Sequence, residues 1–157
     1  MDDFKRQQSI AQDYIEGIRM LSNMRLCSNV PAQSIVQTAL GGYQSVSNYL
    51  TPGGRIYEQR ECIYQALKDI PGLSVVKPKA AFYMFPKLDV KKFHITNDEQ
   101  FALDLLRDKK ILLIHGGGFH WEQPDHFRVV YLPRIEVLKE SADKIADFLS
   151  YYQQNRR

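Results

Sequence analysis

Pro71-Gly72 separates two hydrophobic periodicities that no single kind of element can satisfy. Before it, apolar residues recur at helical spacing. Ile10, Tyr14, Ile18 and Leu21, with Ile15 widening the stripe and Gly17 the one poor helix former inside it, predict a helix of about four turns. Asn29 offers a cap for a second helix that starts at Pro31, carries Ile35, Val36, Ala39 and Leu40, and stops at Gly41-Gly42. Residues 1–42 are thus expected to form a helical pair. After the turn cluster Thr51-Pro52-Gly53-Gly54, Ile56, Ile63, Leu67 and Ile70 predict a third helix that ends at Pro71.

Beyond Gly72 the pattern changes to short apolar runs rich in Val, Phe and Tyr. Leu73–Val76 and Phe82–Phe85 read as two strands joined by a tight connection at Lys77-Pro78-Lys79-Ala80. Asn97-Asp98-Glu99 opens a helix that carries Phe101, Leu105 and Leu106 and closes on the basic run Arg107–Lys110, both charge placements suiting the helix dipole. Ile111–Ile114 and Phe127–Leu132 read as buried strands. Leu138, Ala142, Ile145, Leu149 and Tyr152 define a closing helix. The order predicts an α+β fold for residues 73–157, a sheet of about four strands covered by helices. The first helices alone would leave their stripes poorly covered, so residues 1–50 are expected to be the edge of something larger. No fixed-period repeat occurs, and only the tail Gln153–Arg157 is of low complexity.

The 157 residues carry 21 Lys and Arg against 18 acids, spread evenly along the chain, which is too weak a bias for a nucleic-acid footprint. No apolar run reaches the ~18 residues of a membrane helix, and Met1–Ile10 is not a signal-peptide pattern, so a cytoplasmic location and no membrane partner are expected. Cys27 and Cys62 each lie in an amphipathic segment without ligand spacing and are expected to be reduced and half-buried.

Arg128 interrupts the apolar run Phe127-Arg128-Val129-Val130-Tyr131-Leu132. A guanidinium there needs an anion: an internal acid such as Asp125 or Asp89, or a bound carboxylate or phosphate, unless the strand is an exposed edge. Gly116-Gly117-Gly118 follows an apolar strand, but Phe119–Pro124 lacks the helical period that a phosphate cradle requires, leaving a ligand-lining or lid loop or a plain irregular loop. His115, His120 and His126 stand near Glu122 and Asp125, at spacings that are poor for zinc. Serine stands in no nucleophile motif, and Lys87, Lys91, Lys92, Lys109 and Lys110 read as solvent-facing. Tyr83 reads as a core tyrosine or as a pocket-lining phenol.

Several stretches taken in order resemble class I pyridoxal-phosphate aminotransferases of fold type I, most closely the bacterial alanine aminotransferase group. They are Tyr14-Ile15-Glu16-Gly17, Met24–Gln33, Gln37–Ser45, Thr51–Arg55, Tyr83-Met84-Phe85-Pro86-Lys87, Asp125–Val129 and Leu132-Pro133-Arg134. The similarity runs from about Tyr14 to Tyr152. It implies that residues 1–50 are the terminal helices of a large cofactor-binding domain, residues 51–72 an interdomain helix, and residues 73–157 a small C-terminal domain with a mostly antiparallel sheet.

The resemblance also implies a role for Arg128, the position at which such enzymes grip the substrate α-carboxylate. The groups that hold pyridoxal phosphate, its lysine included, would lie before residue 1. The chain is therefore expected to be an inactive C-terminal piece of an alanine–2-oxoglutarate aminotransferase, with the cofactor, amino acid, 2-oxo acid and homodimer partner belonging to the longer parent. A stand-alone carboxylate-binding or interaction domain, or a piece of a pyridoxal-phosphate lyase, are the alternatives. Two positions depart from the family pattern: Ala80 replaces a usual glycine, which predicts local strain there if φ is positive, and Gly116-Gly117-Gly118-Phe119 replaces Gly-Thr-Ala-Phe.

Overall fold

The computed structural model describes the backbone of residues 2–25 and 27–154 and the side chains from residue 11 to that limit. The side chain of Ile10 in the predicted stripe, Leu26, and residues 155–157 of the tail lie outside what is described. Contacts divide the chain into two compact units, with the boundary between Ser45 and Val46.

The first unit contains α1 (Asp2–Asn23) and α2 (Val30–Gly41). The Asn29 side chain accepts from the Ala32 N–H at 3.2 Å, and the Gly42 N–H donates to Thr38 O at 2.9 Å, so both ends of α2 are closed as the sequence predicts. Tyr14, Ile18, Leu21, Ile35, Val36 and Leu40 are all exposed, and none of the described side chains in the unit is buried. The predicted helical pair is thus two helices without a shared core, since two amphipathic helices cannot cover each other's full stripes. Cys27 lies exposed on the bend between them, outside any amphipathic segment, whereas Cys62 is half-buried; both are free thiols.

The second unit is α+β. In chain order it has α3 (Ser47–Leu50), α4 (Arg55–Lys68), β1 (Leu73–Ser74), β2 (Tyr83–Met84), β3 (Lys87–Leu88), α5 (Asp98–Lys109), β4 (Ile114–His115), a 3₁₀ turn (Gly116–Phe119), β5 (Phe127–Val130) and α6 (Ile135–Tyr151). The apolar stripe of α6 is buried through Leu138, Ala142, Ile145 and Leu149, and α6 packs most extensively on α4, whose Ile63 and Leu67 are also buried. Phe101 and Leu105 of α5 join that core with Met84, Leu88, Phe127 and Tyr131 from the strands. The Asn97 side chain caps α5 by accepting from the Gln100 N–H at 2.9 Å.

Strand pairing differs from the sequence expectation. β1 and β2 do not form a hairpin: β1 pairs antiparallel with β3, and β2 joins a three-stranded antiparallel sheet in the order β2-β5-β4. Pro78 has no N–H for a ladder, and Ala81 has φ of 60°, so the connection turns the chain away from β1 instead of folding it back. The strained position is therefore Ala81, the neighbour of Ala80. Ile111–Ile114 is not a buried strand either. Leu112 is 80% exposed, and pairing starts only at Ile114, because β4 is an edge strand with β5 on one side.

The low-complexity tail also contributes to the packing. Gln154 is buried; its Oε1 accepts from the Thr96 N–H at 2.7 Å and the Asn97 N–H at 2.9 Å, while its Nε2 donates to Asn97 O at 2.7 Å. The side chain thereby closes the loop that leads into α5.

Gly72 has φ of +98°, and a Cβ there would stand 2.5 Å from Cζ of the buried Phe93 ring. Gly72→Ala is expected to destabilise the chain by about 2–4 kcal/mol, through backbone strain plus displacement of that ring, as read from the urea midpoint. Gly17→Ala, with nothing within 4 Å of the added Cβ, should leave the second unit's midpoint unchanged.

Candidate functional site

Arg128 lies on β5, the central strand of the three-stranded sheet, paired in register with Ile114 of β4. The exposed-edge alternative for this arginine is thus not what the structure holds. Strand alternation sends Phe127 and Tyr131 into the core and leaves Arg128 and Val130 on the other face. Two aromatic rings enclose the guanidinium: Cζ is 4.2 Å from the ring centroid of Phe119 and 4.6 Å from that of Tyr83. Its Nε is buried and, among the described residues, has no hydrogen-bond partner.

Neither acid weighed as an internal partner reaches Arg128. The Asp89 carboxylate accepts from the Lys91 and Lys92 N–H groups at 3.0 Å each. Asp125, 8% exposed, accepts from Trp121 Nε1 at 2.9 Å, lies 2.6 Å from His126 Nδ1 and 3.4 Å from Lys87 Nζ. Burial pushes the Asp125 carboxyl up, but the hydrogen bonds from Trp121, His126 and Lys87 and the charge of His126 outweigh it and hold the group below the usual carboxylate range. Tyr83, read from sequence as either a core or a lining residue, is exposed and presents its face to Arg128.

The glycine run is a pinned wall. The Gly116 N–H donates to His126 O at 2.7 Å, and the Gly117 N–H donates to the Asp98 carboxylate at 2.7 Å. Two of the three glycine N–H groups that could have cradled a phosphate are taken. His115 Nδ1 is 3.4 Å from the same Asp98 carboxylate, while His126 is stacked on Phe85, so the histidines diverge; among the described residues no group of three metal-ligating side chains converges. Lys109 is not solvent-facing: it is half-buried and pairs with Asp147 at 2.7 Å. Lys87 is tied to Asp125 and the remaining named lysines are exposed. With the Gly116 and Gly117 N–H groups occupied and, among the described residues, none of the named lysines in an enclosed pocket, this face does not fit pyridoxal phosphate.

The sequence reading placed Phe119 and Trp121 in a candidate lid loop and weighed His126 only as a metal ligand; it missed that they belong to the ring stack around Arg128. The one usable signal was three aromatic residues, Phe119, Trp121 and Phe127, close around Arg128. A cleft of about 570 Å³, lined among others by Tyr49, Leu50, Phe82 and Tyr131, lies on the α3–α4 side and does not include Arg128.

Solved structures share this fold. An aminotransferase from Escherichia coli superposes with a TM-score of 0.79 at 56% identity, covering 90% of this chain and 35% of its own. An alanine aminotransferase from Pyrococcus furiosus gives 0.69 at 39% identity, covering 89% and 35%. The class is thus that of the aminotransferases, pyridoxal-phosphate-dependent transferases. The profile for aminotransferase class I and II matches residues 9–145, and the chain belongs to that family.

Among curated relatives, the glutamate-pyruvate aminotransferase AlaA of Haemophilus influenzae is 57% identical over 144 residues. An alanine aminotransferase of Mycobacterium tuberculosis is 49% identical over the same length. The chain spans about a third of these proteins, 36% and 34%, although 92% of it is matched. No described helix is long and apolar enough to cross a membrane.

If hydrogen bonding holds Asp125 ionised in the folded chain, its contribution to stability is complete above the unfolded carboxylate value of about 3.9 and is lost as pH falls through the lower folded value. Asp125→Asn should therefore lower the urea midpoint at pH 7. The gap to the unaltered chain should narrow only below about pH 4; a gap that stays constant down to pH 3 would contradict this assignment.

Proposed function

We propose that this chain forms the substrate-carboxylate side of an alanine aminotransferase that exchanges an amino group between alanine and 2-oxoglutarate in the cytoplasm. Arg128 grips the α-carboxylate. The observation that carries this reading is a half-buried guanidinium on a central strand that, among the described residues, has no acid paired to it and a buried Nε without an acceptor. The 57% and 49% identities to proteins named for glutamate-pyruvate and alanine transamination support the substrate pair.

In this assignment Arg128 presents its fork of N–H donors to a planar carboxylate through two parallel hydrogen bonds, which fixes the substrate in position and in plane. Both the amino acid and the 2-oxo acid carry this carboxylate, so both half-reactions use the same grip. Pyridoxal phosphate is assigned to the part of the relatives' length that this chain does not span. Residues 1–50 belong with that part as terminal helices of the large domain, residues 51–72 form the interdomain helix, and residues 73–157 the small domain. The working enzyme is a homodimer.

Arg128→Lys, introduced into the protein at the relatives' full length, should lower kcat/KM by about 10- to 100-fold for alanine and for 2-oxoglutarate alike, mainly through KM, because a point charge cannot reproduce the bidentate grip. Unchanged kinetics for either substrate would remove Arg128 from this role. The exposed stripes of α1 and α2 should make the 157-residue chain self-associate in sedimentation experiments as its concentration rises, and a strict monomer would argue against that surface being an interface.

A further inference from the structure

Around Arg128 the chain builds more aromatic and polar structure than a carboxylate grip alone requires. Phe119 and Tyr83 both lie against the guanidinium, with Cζ over each ring at 4.2 Å and 4.6 Å, so the two rings limit how a ligand can approach it. Tyr83 is fixed by a strand ladder, but Phe119 ends a four-residue 3₁₀ turn and needs support from elsewhere. That support is continuous. Phe119 meets Phe85 edge-on at 6.3 Å, and Phe85 stacks on His126 at 4.7 Å. Trp121 packs edge-on against both, at 5.7 Å and 4.6 Å, while Asp125 accepts hydrogen bonds from the indole and sits against the imidazole.

We infer that Phe119 is a positioning residue for Arg128, held in place by the Asp125–Trp121–His126 cluster through Phe85, and that this cluster sets the plane in which a carboxylate can be gripped. The inference rests on the carboxylate reading of Arg128. Asp125 does not touch the arginine; it acts by fixing the indole and imidazole on which Phe85, and through it Phe119, rests.

The test follows the Nε–Hε resonance of Arg128 by NMR in the 157-residue chain, assigned through its loss in Arg128→Lys, during titration with pyruvate and, as a control, its methyl ester. Pyruvate should shift the resonance and the ester should not. Phe119→Leu should weaken pyruvate binding about three- to fivefold, the effect of losing one partly exposed cation–π contact, and Phe119→Tyr should restore it. Asp125→Asn, checked for folding by its helical circular dichroism, should move the Arg128 resonance without pyruvate present and weaken binding in the same direction.

If pyruvate shifts the resonance but Phe119→Leu binds as the unaltered chain does, the positioning role of Phe119 is overturned while the carboxylate reading stands. If Asp125→Asn leaves the resonance where it was, the cluster is merely structural and that half of the inference falls. No response of the unaltered chain to pyruvate, or an equal response to the ester, removes the carboxylate reading and the inference that rests on it.

Discussion

Four of the five strands in the second unit are two residues long, so hydrogen-bond ladders cannot hold its sheets together. What holds them is apolar burial by helices. The stripe of α6 lies against α4, and both enclose a core to which the strands contribute single side chains such as Met84, Leu88 and Phe127. Each fully buried Leu, Ile or Phe contributes roughly 1.5–3 kcal/mol, as much as the one or two net hydrogen bonds of a two-residue strand, and the core sums many such side chains. The sheet's geometry is thus a consequence of helix packing, and so is the placement of Arg128.

That dependence explains which parts of the structure were legible in the sequence. Elements defined by a long period or by a local cap were readable. The spacing of Leu138, Ala142, Ile145 and Leu149 implied its buried face, Asn29 caps the helix it was read as capping, and Asn97 caps the helix it was read as opening. Pairing between two-residue strands was not readable, because two residues carry no alternation and the partner is chosen by the core beneath them. Hence β2 pairs with the distant β5, Tyr83 opposite Val130 and Met84 opposite Val129, and not with its neighbour β1. Leu112 misled for the same reason: an apolar run beside an edge strand resembles a buried one.

At the site, Arg128 stood out as a charge in an apolar run, and its alternation to the face opposite the core follows from strand geometry alone. Its surroundings did not stand out. The contact with Phe119 depends on a 3₁₀ turn whose N–H groups are bound to Asp98 and His126, and those bonds join residues from separate elements. The glycine run read as a ligand-lining or lid loop or as a plain irregular loop because glycine permits either, whereas the deciding fact is which acceptors the fold brings to its N–H groups. The family resemblance added a role for the arginine but not the ring stack around it.

Gln154 gives the second unit a temporal order. Its bonds to Thr96 and Asn97 span 58 and 57 positions, while the cap of α5 by Asn97 spans three. During synthesis α5 can thus form and cap itself long before the loop at its start is locked. The lock becomes available only once residue 154 has emerged, after every strand and helix of the unit has been made. Until then the Thr96 and Asn97 amides that Gln154 will bind stay open to water, so a nascent chain stalled short of residue 154 would exchange these amide protons freely while α5 is already protected.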